Sequence, residues 1–156
     1  MNTQVFKYPI PFAKLSGTGN DFIIIDHREP FIPESDQSEF ARLVCRRRFS
    51  VGADGLILIE NSEKADFRWQ FYNADGSRAE MCGNGARCAA RFAYEKDIAP
   101  AAMRFETTAG EIEAFVLSAG GESVKIRLTA PEDLRLNIPV SLGSVEQTLH
   151  FINTGV

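Results

Sequence analysis

Met81-Cys82-Gly83-Asn84-Gly85-Ala86-Arg87-Cys88-Ala89-Ala90-Arg91-Phe92-Ala93-Tyr94-Glu95-Lys96 is the stretch on which the fold turns. From Cys82 to about Lys96 it reads as a helix. Arg87, Arg91 and Glu95 follow at i, i+4 and i+8 and form one polar stripe, with Arg91 and Glu95 spaced as a helical ion pair. Almost everything else is small or apolar: Ala86, Cys88, Ala89, Ala90, Phe92 and Ala93. A helix that is apolar around most of its circumference is buried on most sides, and its alanines let strands approach closely. The expectation is a curved sheet wrapped around this helix, with only the arginine edge looking out.

Strands to build that sheet lie on both sides. Phe6 to Leu15 reads as extended, with Pro9 and Pro11 placing part of it at an edge. Ser16 to Asp21 is a tight polar loop. Phe22-Ile23-Ile24-Ile25-Asp26 and Gly55 to Glu60 are short buried strands. Between them Pro30 and Pro33 mark a loop, and Asp36 opens a first helix with Glu39 as its capping box. Phe40, Leu43, Val44 and the Arg47 stem cover its inner face; Arg42, Arg46 and Arg48 face water. Phe67, Trp69 and Phe71 alternate with Arg68, Gln70 and Tyr72, which argues a strand with two different faces. Asn73-Ala74-Asp75-Gly76 is a turn. Met103 to Thr107, Glu111 to Leu117 and Val124 to Thr129 make an antiparallel meander. Pro131 begins a less regular stretch, and Glu146 to Asn153 reads as one more strand. Strands dominate and two helices are inserted, so the class is α+β rather than alternating βαβ.

With 156 residues, 44% hydrophobic and 24% charged, the chain suits one globular domain or slightly more. Disordered, collagenous, coiled-coil and disulfide-stapled classes are excluded. Lys and Arg number 17 against 21 Asp and Glu, a net charge of -4. That lacks the basic footprint of a nucleic-acid binder. The 3 cysteines, Cys45, Cys82 and Cys88, include no C-x-x-C pair and read as reduced thiols of a cytoplasmic protein. The N-terminus is too interrupted for a signal peptide, and the run Phe22 to Ile25 is too short to cross a bilayer, so no membrane role is expected.

Chemistry concentrates where the second helix begins. Cys82 sits at its entry, and Gly83, Asn84 and Gly85 form the first turn. The amide N–H groups of that turn have no intrahelical partner. With the macrodipole they offer a carboxylate site, and the same field favours thiolate over thiol at Cys82. Two glycines let a ligand approach the backbone. A thiolate beside a bound carboxylate is placed to remove the proton from the adjacent carbon. Free cysteine is also among the most buried residue types. Cys45 and Cys88 fall inside apolar helical faces and read as core, whereas for Cys82 the reactive and the packing roles both stay open. Asn20 and Asn73 sit in stretches that also form ordinary turns. His27 and His150 read as ordinary loop and strand residues. Zinc-site spacing, a Walker loop and a dinucleotide fingerprint are all lacking.

Ser16-Gly17-Thr18-Gly19-Asn20-Asp21-Phe22, Gly52-Ala53-Asp54-Gly55, the block Asn73 to Arg87 and Thr107-Thr108-Ala109-Gly110 closely resemble the diaminopimelate epimerases, colinearly from about Phe12 to Val116. Met-Cys-Gly-Asn-Gly-x-Arg-Cys is the most specific element. The resemblance implies an isomerase of lysine and peptidoglycan-precursor biosynthesis that interconverts LL- and meso-diaminopimelate. It implies no pyridoxal phosphate, no metal and no other cofactor. In that family two cysteines face opposite sides of the α-carbon. Cys82 matches the first of them, Gly83 and Asn84 the backbone site for the reacting carboxylate, and Asn20 and Asn73 the side chains that hold the small-molecule substrate. Cys88 matches a cysteine without a catalytic role.

Family members are longer and built of two similar lobes. Residues 1–130 correspond to an N-terminal lobe with the first catalytic cysteine, and 131–156 to the start of a truncated C-terminal lobe. The second cysteine and a substrate-binding Glu-Arg pair have no counterpart here, and some members carry a glutamine where Gly55 stands. The expectation is a chain inactive without the missing C-terminal lobe, whether a recombinant piece, a proteolysed fragment or a natural truncation. Homodimers are common in the family. The alternatives are another cofactor-independent racemase, of proline or histidine type, or a catalytically dead half-length binding module.

Overall fold

In the second strand, Phe22 and Ile24 face one layer and Ile23 and Ile25 the other, and all four are buried. That split organises the molecule. The computed structural model describes residues 9–128 and 130–154. Its elements are β1 (Ala13–Gly17), β2 (Asn20–Asp26), α1 (Glu34–Val44), β3 (Gly55–Glu60), β4 (Phe67–Asn73), α2 (Gly83–Glu95), β5 (Ala102–Thr107), β6 (Gly110–Val116), β7 (Val124–Arg127), β8 (Glu132–Leu142) and β9 (Val145–Asn153). β1 to β7 form one sheet in sequence order, and β8 and β9 form a separate antiparallel pair.

The sheet is mixed. β2 pairs parallel with β3 and β4 parallel with β5, and the other pairings are antiparallel. α1 is the crossover of the first parallel pair and α2 of the second, since a parallel step needs a connection long enough to return. α2 packs against β1, β2 and β3 and also against β6 and β7. A sheet whose two ends touch one helix is curled around it, as its alanines predict. Ala86, Ala89, Ala90 and Ala93 are fully buried against Phe22, Ile57, Phe67, Trp69 and Phe105. Phe67 and Phe105 stack with ring centroids 4.7 Å apart. α1 covers the outer face of β3 and β4 through Ala41 and Gln37, beside Leu56, Leu58 and Tyr72. β2 and β3 therefore have helices on both faces, which is why they read as unbroken apolar runs. Along the gap between β1 and β7, a cavity of about 300 Å³ opens over Arg87 and Arg91. Arg91 Nε donates to Glu95 Oε1 at 2.7 Å, the expected helical pair.

Several local expectations change. The loop 16–21 contracts to Thr18-Gly19, both with positive φ (59° and 85°), so β1 and β2 form a tight hairpin and Asn20 already belongs to β2. The part of the first strand at residues 6–8 lies outside the described residues, as does Thr129. α1 starts at Glu34 behind Pro33 with no side-chain cap, so Asp36 and Glu39 make no capping box; Glu39 instead pairs with Arg42. Leu43 is exposed; Phe40 and Val44 pack half-buried against the core as expected, and Gln37 and Ala41 are the buried residues beside them. Tyr72 is buried, because α1 covers its side of β4, and its hydroxyl donates to Gln37 Oε1 at 2.9 Å. His27 lies in the loop after β2, as expected, but it is buried. Its Nε2 accepts from the N–H groups of Phe31 and Ile32, so Nδ1 carries the proton toward Glu60 at 3.0 Å. The stretch after Pro131 is strand β8, paired with β9.

Candidate active site

The Cys82 sulfur is held from two sides. Cys82 is the N-cap of α2, in extended conformation (φ -149°, ψ 120°), and its Sγ accepts from the Gly85 N–H at 3.5 Å. An N-cap side chain that accepts from the third helical N–H fills one of the four orphan donors of the helix start. The thiol in turn donates toward Asn20 Oδ1 at 3.6 Å. The hairpin turn at Thr18-Gly19 carries Asn20 to this place, and Gly17 lets the hairpin lie against the first turn of α2. A Cβ at Gly17 would meet the Asn84 carbonyl oxygen at 2.9 Å.

Asn20, Asn73 and Cys82 share a cavity of about 490 Å³ with Asp54 and Met81, over an aromatic floor of Phe22 and Phe71. Asn84 does not line it but joins the group, its Nδ2 donating to Asn20 Oδ1 at 3.4 Å and its Oδ1 accepting from Arg87. Asn73 Nδ2 donates to Ser77 Oγ at 3.0 Å inside its own turn. Gly83 follows Cys82 as the first helical residue. The nearest atoms a Cβ there would meet are at 3.7 and 4.0 Å, so the protein itself leaves room for one. At Gly55, by contrast, a Cβ would lie 2.7 Å from the Phe71 ring and 2.8 Å from the Tyr72 carbonyl oxygen. No side chain fits there on this backbone.

The other thiols lie elsewhere. Cys45 belongs to the outer layer and Cys88 to the inner core, both buried. Burial pushes each of them up to about 11, which matches their reading as core.

Charged residues that the sequence does not single out surround the site. Asp54 Oδ2 accepts from Asn20 Nδ2 at 2.8 Å and from the Asp21 N–H at 3.0 Å. Arg47 donates to Asp54 Oδ1 at 2.8 Å and also to Asp21, which Lys14 approaches at 3.1 Å. The Asn20 amide first, then the Asp21 N–H and Arg47, hold the Asp54 carboxyl below the usual carboxylate range. Arg47 above all holds Asp21 well below it. The sequence signal for Asp54 is the stretch Gly52-Ala53-Asp54-Gly55 itself.

The diaminopimelate epimerase family matches residues 12–132. The chain is 51% identical to a diaminopimelate epimerase of Hydrogenobaculum sp. (strain Y04AAS1), over 92% of this chain and 54% of that protein. It is 49% identical to the one of Aquifex aeolicus (strain VF5), over 93% and 54%. It thus spans about half the length of the curated relatives it matches. Among solved structures, a probable proline racemase from Agrobacterium radiobacter K84 superposes with a TM-score of 0.66 at 16% identity, over 90% of this chain and 48% of that one. A PhzF-family protein of Bacillus anthracis gives 0.61 at 22%, over 84% and 43%. These two likenesses concern the fold, a lobe of curled sheet around a helix. The extent of the family match, with half of all residues identical to two curated members, places this chain in the diaminopimelate epimerase family.

Proposed function

We propose that this chain is the first lobe of a diaminopimelate epimerase, with Cys82 handling the α-proton on one face of the substrate. The supporting observation is a sulfur at the N-terminus of a buried helix, at the wall of a cavity it shares with two asparagines. As thiolate, Cys82 takes the α-proton and the electron pair passes into the carboxylate. Such a carbanion, with no pyridine ring as electron sink, needs preorganised dipoles in a dry site. The N–H groups of Gly83 and Asn84 supply them. Asn73 commits its amide nitrogen to Ser77 and offers its oxygen, an acceptor suited to a substrate ammonium group. The Asn20 oxygen accepts from Asn84 and the Cys82 thiol and has a lone pair for the same task once Cys82 is a thiolate. Donors at the helix and acceptors at the asparagines select a zwitterion.

Inversion needs a second group that returns a proton to the opposite face. Neither Cys45 nor Cys88 lines the cavity at Cys82, so neither is placed to be that group, and we assign it to the part of the relatives' length that this chain does not span. We read 131–156 as the opening of a second lobe. The free thiols suit a reducing cytoplasm, and none of the described helices is long and apolar enough to cross a membrane.

The test is protection of Cys82 from iodoacetamide, followed by peptide mass. Meso-diaminopimelate slows labelling, and L-proline at the same concentration does not. Equal protection by proline transfers the site to the proline racemase type; no protection by either leaves a lobe without a substrate site of its own.

A further inference from the structure

Asn20 and Asn84 are amides, and at each the oxygen and nitrogen are told apart only by what surrounds them. Here the surroundings decide. A carboxylate oxygen only accepts, so the group of Asn20 at 2.8 Å from Asp54 Oδ2 is its NH₂. The Asn20 oxygen then faces the Cys82 thiol and Asn84 Nδ2. From the other end, a guanidinium only donates, so Asn84 turns its oxygen to Arg87 and its NH₂ to Asn20. The two charged ends demand the same orientation of both amides. We propose that Asp54 is a positioning residue that sets which end of the Asn20 amide faces Cys82, with Arg87 fixing Asn84 in the matching sense.

This rests on the reading of Cys82 as the proton-transferring group. Asp54 reaches three parts of the site at once. Its carboxylate holds the Asn20 side chain and the Asp21 N–H, and its carbonyl oxygen accepts from the Ala74 N–H at 2.9 Å, beside Asn73. Arg47 keeps the other carboxylate oxygen occupied, so the carboxylate does not turn away from Asn20. The hydrogen bond from Asn20 is the leading reason the Asp54 carboxyl lies below its usual range. With the oxygen of Asn20 toward the sulfur, the thiol has a fixed acceptor for its hydrogen. With the NH₂ there instead, the thiolate gains a donor and is favoured.

The experiment is a double-mutant cycle on the rate at which iodoacetamide labels Cys82, without ligand. The chains are the unaltered protein, Asp54→Asn, Asn20→Ala and the double variant. In Asp54→Asn a single amide oxygen must serve Arg47 on one side and Asn20 with the Asp21 N–H on the other, so the carboxylate that fixes the Asn20 NH₂ is lost and the Asn20 amide is free to turn. Labelling speeds up by about threefold or more where Asn20 is present, and by less than half that factor in the Asn20→Ala background. The same factor in both backgrounds means that only the lost charge acts, and the proposal is wrong. Should Asp54→Asn not fold by circular dichroism, the unaltered chain gives the answer by NMR. One Asn20 side-chain proton exchanges more slowly than those of exposed asparagines until the pH falls far enough to protonate Asp54. Free exchange of both Asn20 protons at neutral pH overturns the proposal. Failure of the underlying reading is a separate event, since it shows as absence of protection by diaminopimelate.

Discussion

Gly17 and Asn84 touch across the site: a Cβ on Gly17 would stand 2.9 Å from the Asn84 carbonyl oxygen and 3.3 Å from the Cys88 sulfur. The hairpin that delivers Asn20 and the helix that delivers Cys82 are thus seated on each other where residue 17 has no side chain.

Gly17→Ala is expected to pry that seat apart. The partner atom is helix backbone, which does not yield as a flexible side chain does, and overpacking of this kind costs about 1–3 kcal/mol. Chemical denaturation measures it. Gly83→Ala is the contrast, with its nearest protein neighbours at 3.7 Å and 4.0 Å. Its stability should be unchanged or slightly raised, because alanine is the better helix former. Its affinity for diaminopimelate should fall at least tenfold (about 1.4 kcal/mol), because the added methyl intrudes on the bound carboxylate. A destabilised Gly83→Ala chain, or one that binds normally, removes the argument that ligand approach explains this glycine.

Labelling by iodoacetamide near neutral pH should fall on Cys82 and spare Cys45 and Cys88. The first lines a cavity; the others are 3% and 4% exposed, with thiols pushed up to about 11 by burial. Only the thiolate attacks. Cys45 and Cys88 therefore gain reactivity on unfolding or as the pH nears that value. Early modification of Cys88 in the folded chain contradicts the arrangement.

How far the residues foretold this structure follows from what each element packs against. The buried helix announced itself, because Ala86, Ala89, Ala90 and Ala93 leave no face for water except the arginine stripe. The apolar runs of β2 and β3 announced burial but not the parallel pairing, which is decided by α1 crossing between them. Tyr72 looked polar-facing by alternation; only the tertiary position of α1 buries it beside Gln37. In β8, Leu134, Leu136, Ile138, Val140 and Leu142 alternate cleanly. The strand was nonetheless hidden by Pro139 and by positive φ at Asp133 and Asn137 (54° and 56°), where the register with β9 shifts. At the site, Gly83-Asn84-Gly85 ahead of the alanines marks Cys82 as the helix entry, where the structure has it. Asp54 was missed because its partner Asn20 lies 34 residues away, a pairing that exists only once β2 and β3 lie side by side.

Tyr72→Phe is expected to cost about 1–3 kcal/mol, the penalty for leaving a buried acceptor without its donor. The acceptor is Gln37 Oε1, whose amide nitrogen stays engaged with the Ile32 carbonyl oxygen at 3.2 Å. Combined with Gln37→Met the loss should be smaller than the sum of the single losses, because contacting partners are not additive. Urea unfolding of the four chains gives the coupling, and strict additivity means that the hydroxyl does not stabilise through Gln37.

Acid should loosen the site through its carboxylates. Asp21, chiefly through Arg47, and Asp54, chiefly through Asn20, both lie below the usual carboxylate range in the folded chain. A group lowered on folding contributes stability that is complete above its unfolded value, about 3.9 for aspartate. That contribution is lost as the pH falls through the lower folded value. For these two residues the melting temperature should thus be flat from pH 7 to about 5 and decline below about 4. Arg47→Met removes the cation that bridges both acids. It should lower the melting temperature at neutral pH and also flatten part of the acid limb, because Asp21, held chiefly by Arg47, then returns toward its ordinary value, while Asp54 stays lowered by Asn20 and the Asp21 N–H. A variant that is less stable at pH 7 yet keeps the full acid slope places the source of that slope in other carboxylates, Asp26 and Glu60 being the next to check.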